Sequence, residues 1–382
     1  MKRDWLIVGG GLHGAHIARR LAAADARLAV AVIDPQPTAL THWATRADNC
    51  GMHFLRSPQV HHMGLRADAL RTFAREHGYD GRNALGRYRR PSRALFEAHC
   101  HEVFEPVKRI ADAAVDIHHA GTGWTIHTRS GHTCSATNVV LACGPAGLAR
   151  PDWGEELPHV LDASNAGTVL SRAPGQHTVV VGGGLSAAQY AIACAKADGD
   201  VTLLSRHRLQ QAGFDSDPCF AGRLCLEPFR QLPMAERSPV LDKARNPGTL
   251  PGDIYTELMT HLADASIRWT QGTVQSLTDA GPKLTDGRCI VADRVVLATG
   301  FCPGAHPFVE HVAQSLQLSL DRHGYAGIDT HLAWAPHLYV AGRSASLQLG
   351  AMAGNLRGAQ LAGKCLAEVA KPTALDATTQ QA

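Results

Sequence analysis

The chain holds ten cysteines but no CxxC pair. That spacing excludes a thioredoxin-type dithiol, a zinc ribbon and a cysteine-held iron–sulfur cluster. It also lacks any apolar run approaching the ~18 residues of a membrane span. Charge of neither sign dominates, with 37 basic residues against 34 acidic ones, so no nucleic-acid partner is indicated. Aromatics are sparse at 5%. The densest basic stretch, "RYRRPSR" from Arg87 to Arg93, has no interleaved stacking platform for single strands. It reads as a solvated or helix-start segment. There are 22 histidines but no HExxH and no compact ligand set with carboxylates, so no metal is expected. After the basic start, the apolar run Trp5–Val8 breaks into glycines within four residues, unlike a secretory signal. Several thiols lie in apolar runs and read as buried; this usage fits a reducing compartment, and the chain is expected in the cytoplasm.

What is present is a globular composition. The chain has 382 residues, 45% of them hydrophobic, enough for two or three domains with real cores. "WLIVGGGLHGAHIARRLA" starts at Trp5, and "VVVGGGLSAAQYAIA" starts at Val179. Each reads as buried strand, glycine turn and helix, followed by a second strand at Leu28–Asp34 and near Val201–Ser205. Each unit is followed by short alternating runs of an antiparallel meander and a buried strand, "VVLACG" or "VVLATG". The two turns lie about 170 residues apart, a domain-scale duplication. Regularity fades over residues 35–64 and 207–250. A late strand is expected in "HLYVAG" and a closing helix over Leu356–Ala370, with a frayed tail after it.

In the first turn Gly9, Gly11 and Gly14 fill GxGxxG. The first glycine permits the turn, the second admits a pyrophosphate, and the third lets helix and strand pack closely. The helix N-terminus favours the phosphates. Asp34 stands twenty residues past Gly14, where a carboxylate accepts ribose hydroxyls. In the second turn Gly182, Gly184 and Ala187 take the three positions, and Arg206 stands where the first unit has its acid. An arginine there suits a 2′-phosphate through a charge-assisted fork, so NADPH is favoured over NADH. Arg206 and Arg208 would equally suit the solvated end of a strand.

With these pieces in place, the chain resembles two-dinucleotide-domain flavoproteins. Among them it is most similar to class B flavin monooxygenases of the ornithine/lysine N-hydroxylase type. The likeness rests on the two glycine turns with a serine after the second, "LATGF" at 297–301, "FLRSP" at 54–58, "PSRALFEAHC" at 91–100 and the "LYVAG…GNLRGA" ending. It departs in reading "FLRS" for "FLKD" and "FDSDPCFAGRLCLEPFRQLP" (Phe214–Pro233) in place of an "NExFxP" segment, which leaves the substrate open.

The resemblance implies an α/β fold of two Rossmann-like, glutathione-reductase-type domains, the second inserted in the first, each with a small meander. Residues 1–165 and 325–382 would bind FAD, and 166–324 NADPH. FAD would lie on Gly9, Gly11, Gly14 and Asp34, with Met52, Gly342 and Arg343 near its flavin half. NADPH would use Gly182, Gly184, Ser186 and Arg206. Members pass oxygen from a C4a-(hydro)peroxyflavin to an amine or other soft heteroatom of a small molecule. Arg56, Ser57, His53 and Gln59 are candidates for lining that pocket. Arg56 would stabilise an anionic peroxide or a carboxylate, and His53 would relay a proton. All four would serve loop packing or FAD phosphate contacts as well. A flavin oxidase or reductase, and a non-catalytic flavin sensor, use the same motifs. The oligomeric state, homo-oligomer included, is left open.

Overall fold

The computed structural model describes residues 2–154, 157, 159–162 and 175–371. The expected frayed tail and the expected border at 165/166 lie outside the described residues.

Two sheets with parallel centres organise the chain. The first orders its strands Ala333–Ala335, Leu338–Val340, Thr133–Leu141, Arg3–Val8, Val30–Ile33 and Arg109–Ile110. Ile7 lies opposite Val32 on one side and Val140 on the other. Strands this apolar are stable only with both faces covered. One face is covered by the helix Leu12–Ala24, against which the closing helix Leu356–Val369 packs. The meander Ala114–Ala120, Gly123–Thr128 and Thr133–Leu141 is antiparallel and shares its last strand with the sheet.

The second sheet orders Arg268–Gln271, Asp200–Ser205, His177–Val181, Arg294–Leu297 and Val160–Asp162, all parallel. Val180 faces Leu203 and Val296 across it. The helix Leu185–Lys196 buries Ala187, Ala188 and Ala191, small residues that let it lie close to the strands. Its meander reduces to the hairpin Val274–Thr278/Gly281–Leu284.

The chain crosses between sheets twice, and the crossings run side by side. Leu148 bridges Phe301, Ala149 N–H donates to Gly300 carbonyl at 2.9 Å, and Cys302 N–H donates to Gly147 carbonyl at 2.9 Å. Gly144, Gly147, Gly300 and Gly304 all have positive φ here, which a side chain would oppose. Trp153, Leu157 and Val160 belong with the second core, and Phe308, Val309 and Val312 of the helix Pro307–Ser315 belong with the first.

Two irregular segments are corrected. Residues 35–64 contain the helix Thr41–Asn49. Residues 207–250 contain helices Arg223–Gln231 and Met234–Ala244, and Cys219 is joined to Cys225 by a disulfide. No described helix is long and apolar enough to cross a membrane.

Candidate active site

The first glycine turn has no room for side chains where the motif says it should not. Gly9 has φ +96°. A Cβ on Gly14 would stand 1.9 Å from the Gly9 carbonyl oxygen, whereas a Cβ on Gly11 would meet nothing within 4 Å. Gly11 thus leaves open space at the start of Leu12–Ala24, where a pyrophosphate can approach the backbone. Asp34 ends the second strand. Its carboxylate accepts Gly10 N–H at 2.6 Å and Gln36 N–H at 2.7 Å, which uses two of about four acceptor positions.

Arg109, unremarked in the sequence, closes the same corner. It donates to the Gly10 and Gln36 carbonyls at 2.9 and 3.0 Å and lies 3.5 Å from Asp34. No sequence signal marks it, because its partners are brought to it by sheet pairing. Gly342 has φ +72°, and a Cβ there would lie 3.9 Å from His13 Nδ1. Burial lowers the His13 pKa from 6.5 to about 4. His13 Nδ1, Arg109 Nε and Arg343 Nε are buried without a hydrogen-bond partner among the described residues. Three orphaned polar atoms around one glycine turn fit a polar ligand such as FAD, because buried polar groups are ordinarily paired.

The second turn repeats the design. Gly182 has φ +150°, and its Cβ would stand 2.3 Å from the Ala298 carbonyl. Gly184 caps Leu185–Lys196, with Gly248 3.4 Å from its Cβ position. Ser186 is exposed in the first helical turn, and Arg206 is exposed beyond the strand Asp200–Ser205. Arg206 makes no ion pair with another described residue, so its guanidinium is available to a ligand.

The loop Cys50–Gln59 docks on the second unit. Cys50 Sγ donates to Gln189 Oε1 at 3.5 Å, and Met52 packs on the second core. Arg56 is held by oxygen atoms of residues 212–249. Nη2 donates to the Ala212 and Phe214 carbonyls at 2.8 and 2.7 Å and to Thr249 Oγ1 at 2.8 Å. Nη1 donates to the Thr249 carbonyl at 3.2 Å, and Nε to the Gly213 carbonyl at 3.4 Å. Every donor nitrogen of the guanidinium is engaged, so Arg56 is a clamp between the loop and residues 212–249. His53 is exposed and Ser57 half-buried in this loop. Gln59 Oε1 accepts from Arg89 at 3.3 Å. Arg90, read from sequence as solvated, pairs bidentately with Asp253 at 2.6 and 3.0 Å.

Residues 6–146 match the family model described as FAD-NAD(P)-binding. The matched residues include the first glycine turn, Asp34, Arg109 and the Cys50–Gln59 loop. A sequence search of curated proteins finds no match. Solved structures with the same fold span nearly the whole chain. The ornithine N-hydroxylase of Kutzneria sp. 744, solved with reduced FAD, NADP+ and L-ornithine, has a TM-score of 0.80 at 14% identity, covering 97% of this chain and 99% of that one. The cadaverine monooxygenase of Erwinia amylovora, bound to FAD, has a TM-score of 0.76 at 14% identity, covering 97% and 94%. The bacillithiol disulfide reductase of Bacillus cereus has a TM-score of 0.66 at 18% identity, covering 97% and 99%. The chain therefore shares the fold of these proteins over nearly its whole length.

Proposed function

We propose that this protein is an NADPH-dependent FAD monooxygenase that transfers one oxygen atom to an amine or another soft heteroatom of a small molecule. For an amine the balance is R–NH2 + O2 + NADPH + H+ giving R–NHOH + H2O + NADP+. FAD, when bound, supplies the electron transfer and oxygen activation.

One contrast carries the reading. Two glycine turns, closed to a side chain at Gly9, Gly14 and Gly182, stand at the centres of two sheets, with Asp34 at the end of one second strand and Arg206 beyond the other. The acid suits an unphosphorylated ribose and the arginine a 2′-phosphate. Gly9, Gly11, Gly14, Asp34 and Arg109 hold the adenosine end of FAD, and His13, Gly342 and Arg343 its other half. Gly182, Gly184, Ser186 and Arg206 hold NADPH. Met52 sits where the loop meets the second unit. His53 and Ser57 remain available to a substrate, whereas Arg56 fixes the loop. The bacillithiol disulfide reductase likeness favours a second reading, in which electrons pass onward without oxygenation.

Anaerobic reduction of the purified flavoprotein with NADPH, followed by an oxygen pulse, separates the two. An absorbing transient before flavin reoxidation, with product formed per NADPH used, is expected. Direct reoxidation with one hydrogen peroxide per NADPH for every amine and thiol tested would assign the protein to the oxidase or reductase group.

A further inference from the structure

The disulfide between Cys219 and Cys225 has no part in either glycine turn. The other eight cysteines are free thiols, four of them buried and Cys289 exposed. In a chain of mostly free thiols, an isolated disulfide is ordinarily transient or redox-sensing rather than a staple. This one can be reached. Both of its cysteines are half-buried, and Asp217, Pro218, Gly222, Arg223 and Leu224 around them are exposed.

The two sulfurs stand in different surroundings. Cys225 is the third residue of the helix Arg223–Gln231 and packs on the core that holds Leu226 and Phe229. The N-terminal turn of a helix favours a thiolate. Glu227 is drawn aside by Arg223, 3.4 Å away. Cys219 N–H donates to Asp217 Oδ1 at 2.9 Å, and that carboxylate opposes negative charge on Cys219. Cys225 is therefore the better leaving group, so an incoming thiolate attacks the Cys219 sulfur.

The bond ties together a small lobe that rests on the segment after Gly342. Phe220, between the two cysteines, is 4% exposed and meets Phe229 edge-on at 5.5 Å. A Cβ on Gly350 would stand 2.6 Å from the Phe220 ring and 3.2 Å from Leu226. Arg230 donates to the Gln348 carbonyl at 2.8 Å, and Arg357 to the Ala221 carbonyl at 2.8 Å. Residues 346–350 thus depend on residues 218–231 for one side of their packing.

We propose that Cys219 and Cys225 form a thiol-exchange site, opened by a low-molecular-weight thiol, and that its state controls how residues 218–231 dock on residues 346–350. The thiolate of the first small thiol attacks Cys219 Sγ. The Cys219–Cys225 bond breaks, and Cys225 leaves as a thiolate. A second small thiol attacks the small-molecule sulfur of the mixed disulfide and releases Cys219. Two electrons enter the protein, the two protons given up by the small thiols end on the two cysteines, and the small thiols depart as their disulfide. The reverse reaction restores the bond. Neither part depends on the monooxygenase reading.

The test uses the FAD-loaded protein without denaturant. It is equilibrated in buffers of graded glutathione to glutathione-disulfide ratio, alkylated, and mapped by mass spectrometry. Cys219 and Cys225 should convert together from a disulfide to two alkylated thiols, and early samples should carry glutathione on Cys219. Hydrogen exchange over residues 346–350 should rise about threefold or more on reduction, while exchange over residues 9–14 stays within twofold. The double variant Cys219→Ser, Cys225→Ser should show the faster exchange in every buffer.

Reduction that needs urea would make the bond a structural staple and overturn the exchange site. Reduction that leaves residues 346–350 unchanged would overturn the coupling. A double variant as sensitive to glutathione as the unaltered chain would assign the effect to another cysteine. The titration of the unaltered chain decides the first two points whether or not the variant folds.

Discussion

Gly11 and Gly14 sit three residues apart in one turn, yet they exclude a side chain for different reasons. A methyl on Gly14 collides with the Gly9 carbonyl, while one on Gly11 meets no protein atom. Gly14→Ala should therefore lower both the melting temperature of the flavin-free protein and its flavin content. Gly11→Ala should leave that temperature unchanged and still reduce flavin content, because the methyl projects where the pyrophosphate comes closest to the backbone. Loss of stability in both variants, or in neither, would contradict the geometry.

Arg206 is exposed and unpaired among the described residues, so its removal should act on the ligand alone. Arg206→Ala should raise the NADPH KM about tenfold or more and leave that for NADH within twofold. Equal changes for the two nucleotides would take the 2′-phosphate away from it. Arg56 is the opposite case. Its donors are spent on oxygen atoms of residues 212–249, so Arg56→Ala should cost about 2–4 kcal/mol of stability by urea unfolding. A large loss of rate with unchanged stability would return it to a catalytic role. The glycines were legible because their constraint is local. Arg56 was not, because its partners lie more than 150 residues along the chain.

At the level of elements, the contact between Leu12–Ala24 and Leu356–Val369 joins the two ends of the first sheet's domain. It depends on small residues: a Cβ on Gly363 would stand 2.9 Å from the His16 ring and 3.0 Å from the Arg20 stem. The later helix is started by Asn355, whose side chain accepts the N–H groups of Arg357 and Gly358 at 2.9 and 3.3 Å. Asn355→Ala leaves those donors unmatched and should cost about 1 kcal/mol in urea unfolding. No change would mean that the cap is replaced by water. The helices Arg223–Gln231 and Met234–Ala244 escaped the sequence reading because each contains an interior proline, Pro228 or Pro239. Proline deprives the carbonyl four residues earlier of its partner. Those carbonyls belong to Leu224 and Ala235, both exposed residues, where water can satisfy them. Periodicity carries no information about that exposure.

Across the whole molecule, buried histidines set a limit on the acid side. His16 is fully buried, with Nδ1–H donating to the Met63 carbonyl at 2.9 Å and Nε2 accepting from Arg20 at 3.3 Å. That arrangement requires the neutral ring. His99 is 2% exposed, has no hydrogen-bond partner among the described residues, and meets His62 edge-on at 5.6 Å. Burial lowers their pKa values from 6.5 to about 3 and about 4. Between pH 6.5 and about 4 the unfolded chain binds more protons than the native one, so stability falls as pH falls. The slope approaches about 1.4 kcal/mol per pH unit for each histidine. Urea midpoints at pH 7.5, 6.0 and 5.0 should decline steadily, and His99→Leu should lessen the decline. A flat profile would mean that these rings find water or a counter-ion.

The amino-acid order alone determined the two strand–turn–helix units, their glycines and the acid and base that distinguish them, because each requirement acts over a few neighbouring residues. Only the tertiary structure decided where the chain crosses between sheets, that Arg56 is a clamp, that Arg109 joins Asp34, and that residues 218–231 pack on residues 346–350. Those arrangements depend on packing between residues far apart in the chain, and neither hydrophobic period nor motif spacing records which distant atoms will meet.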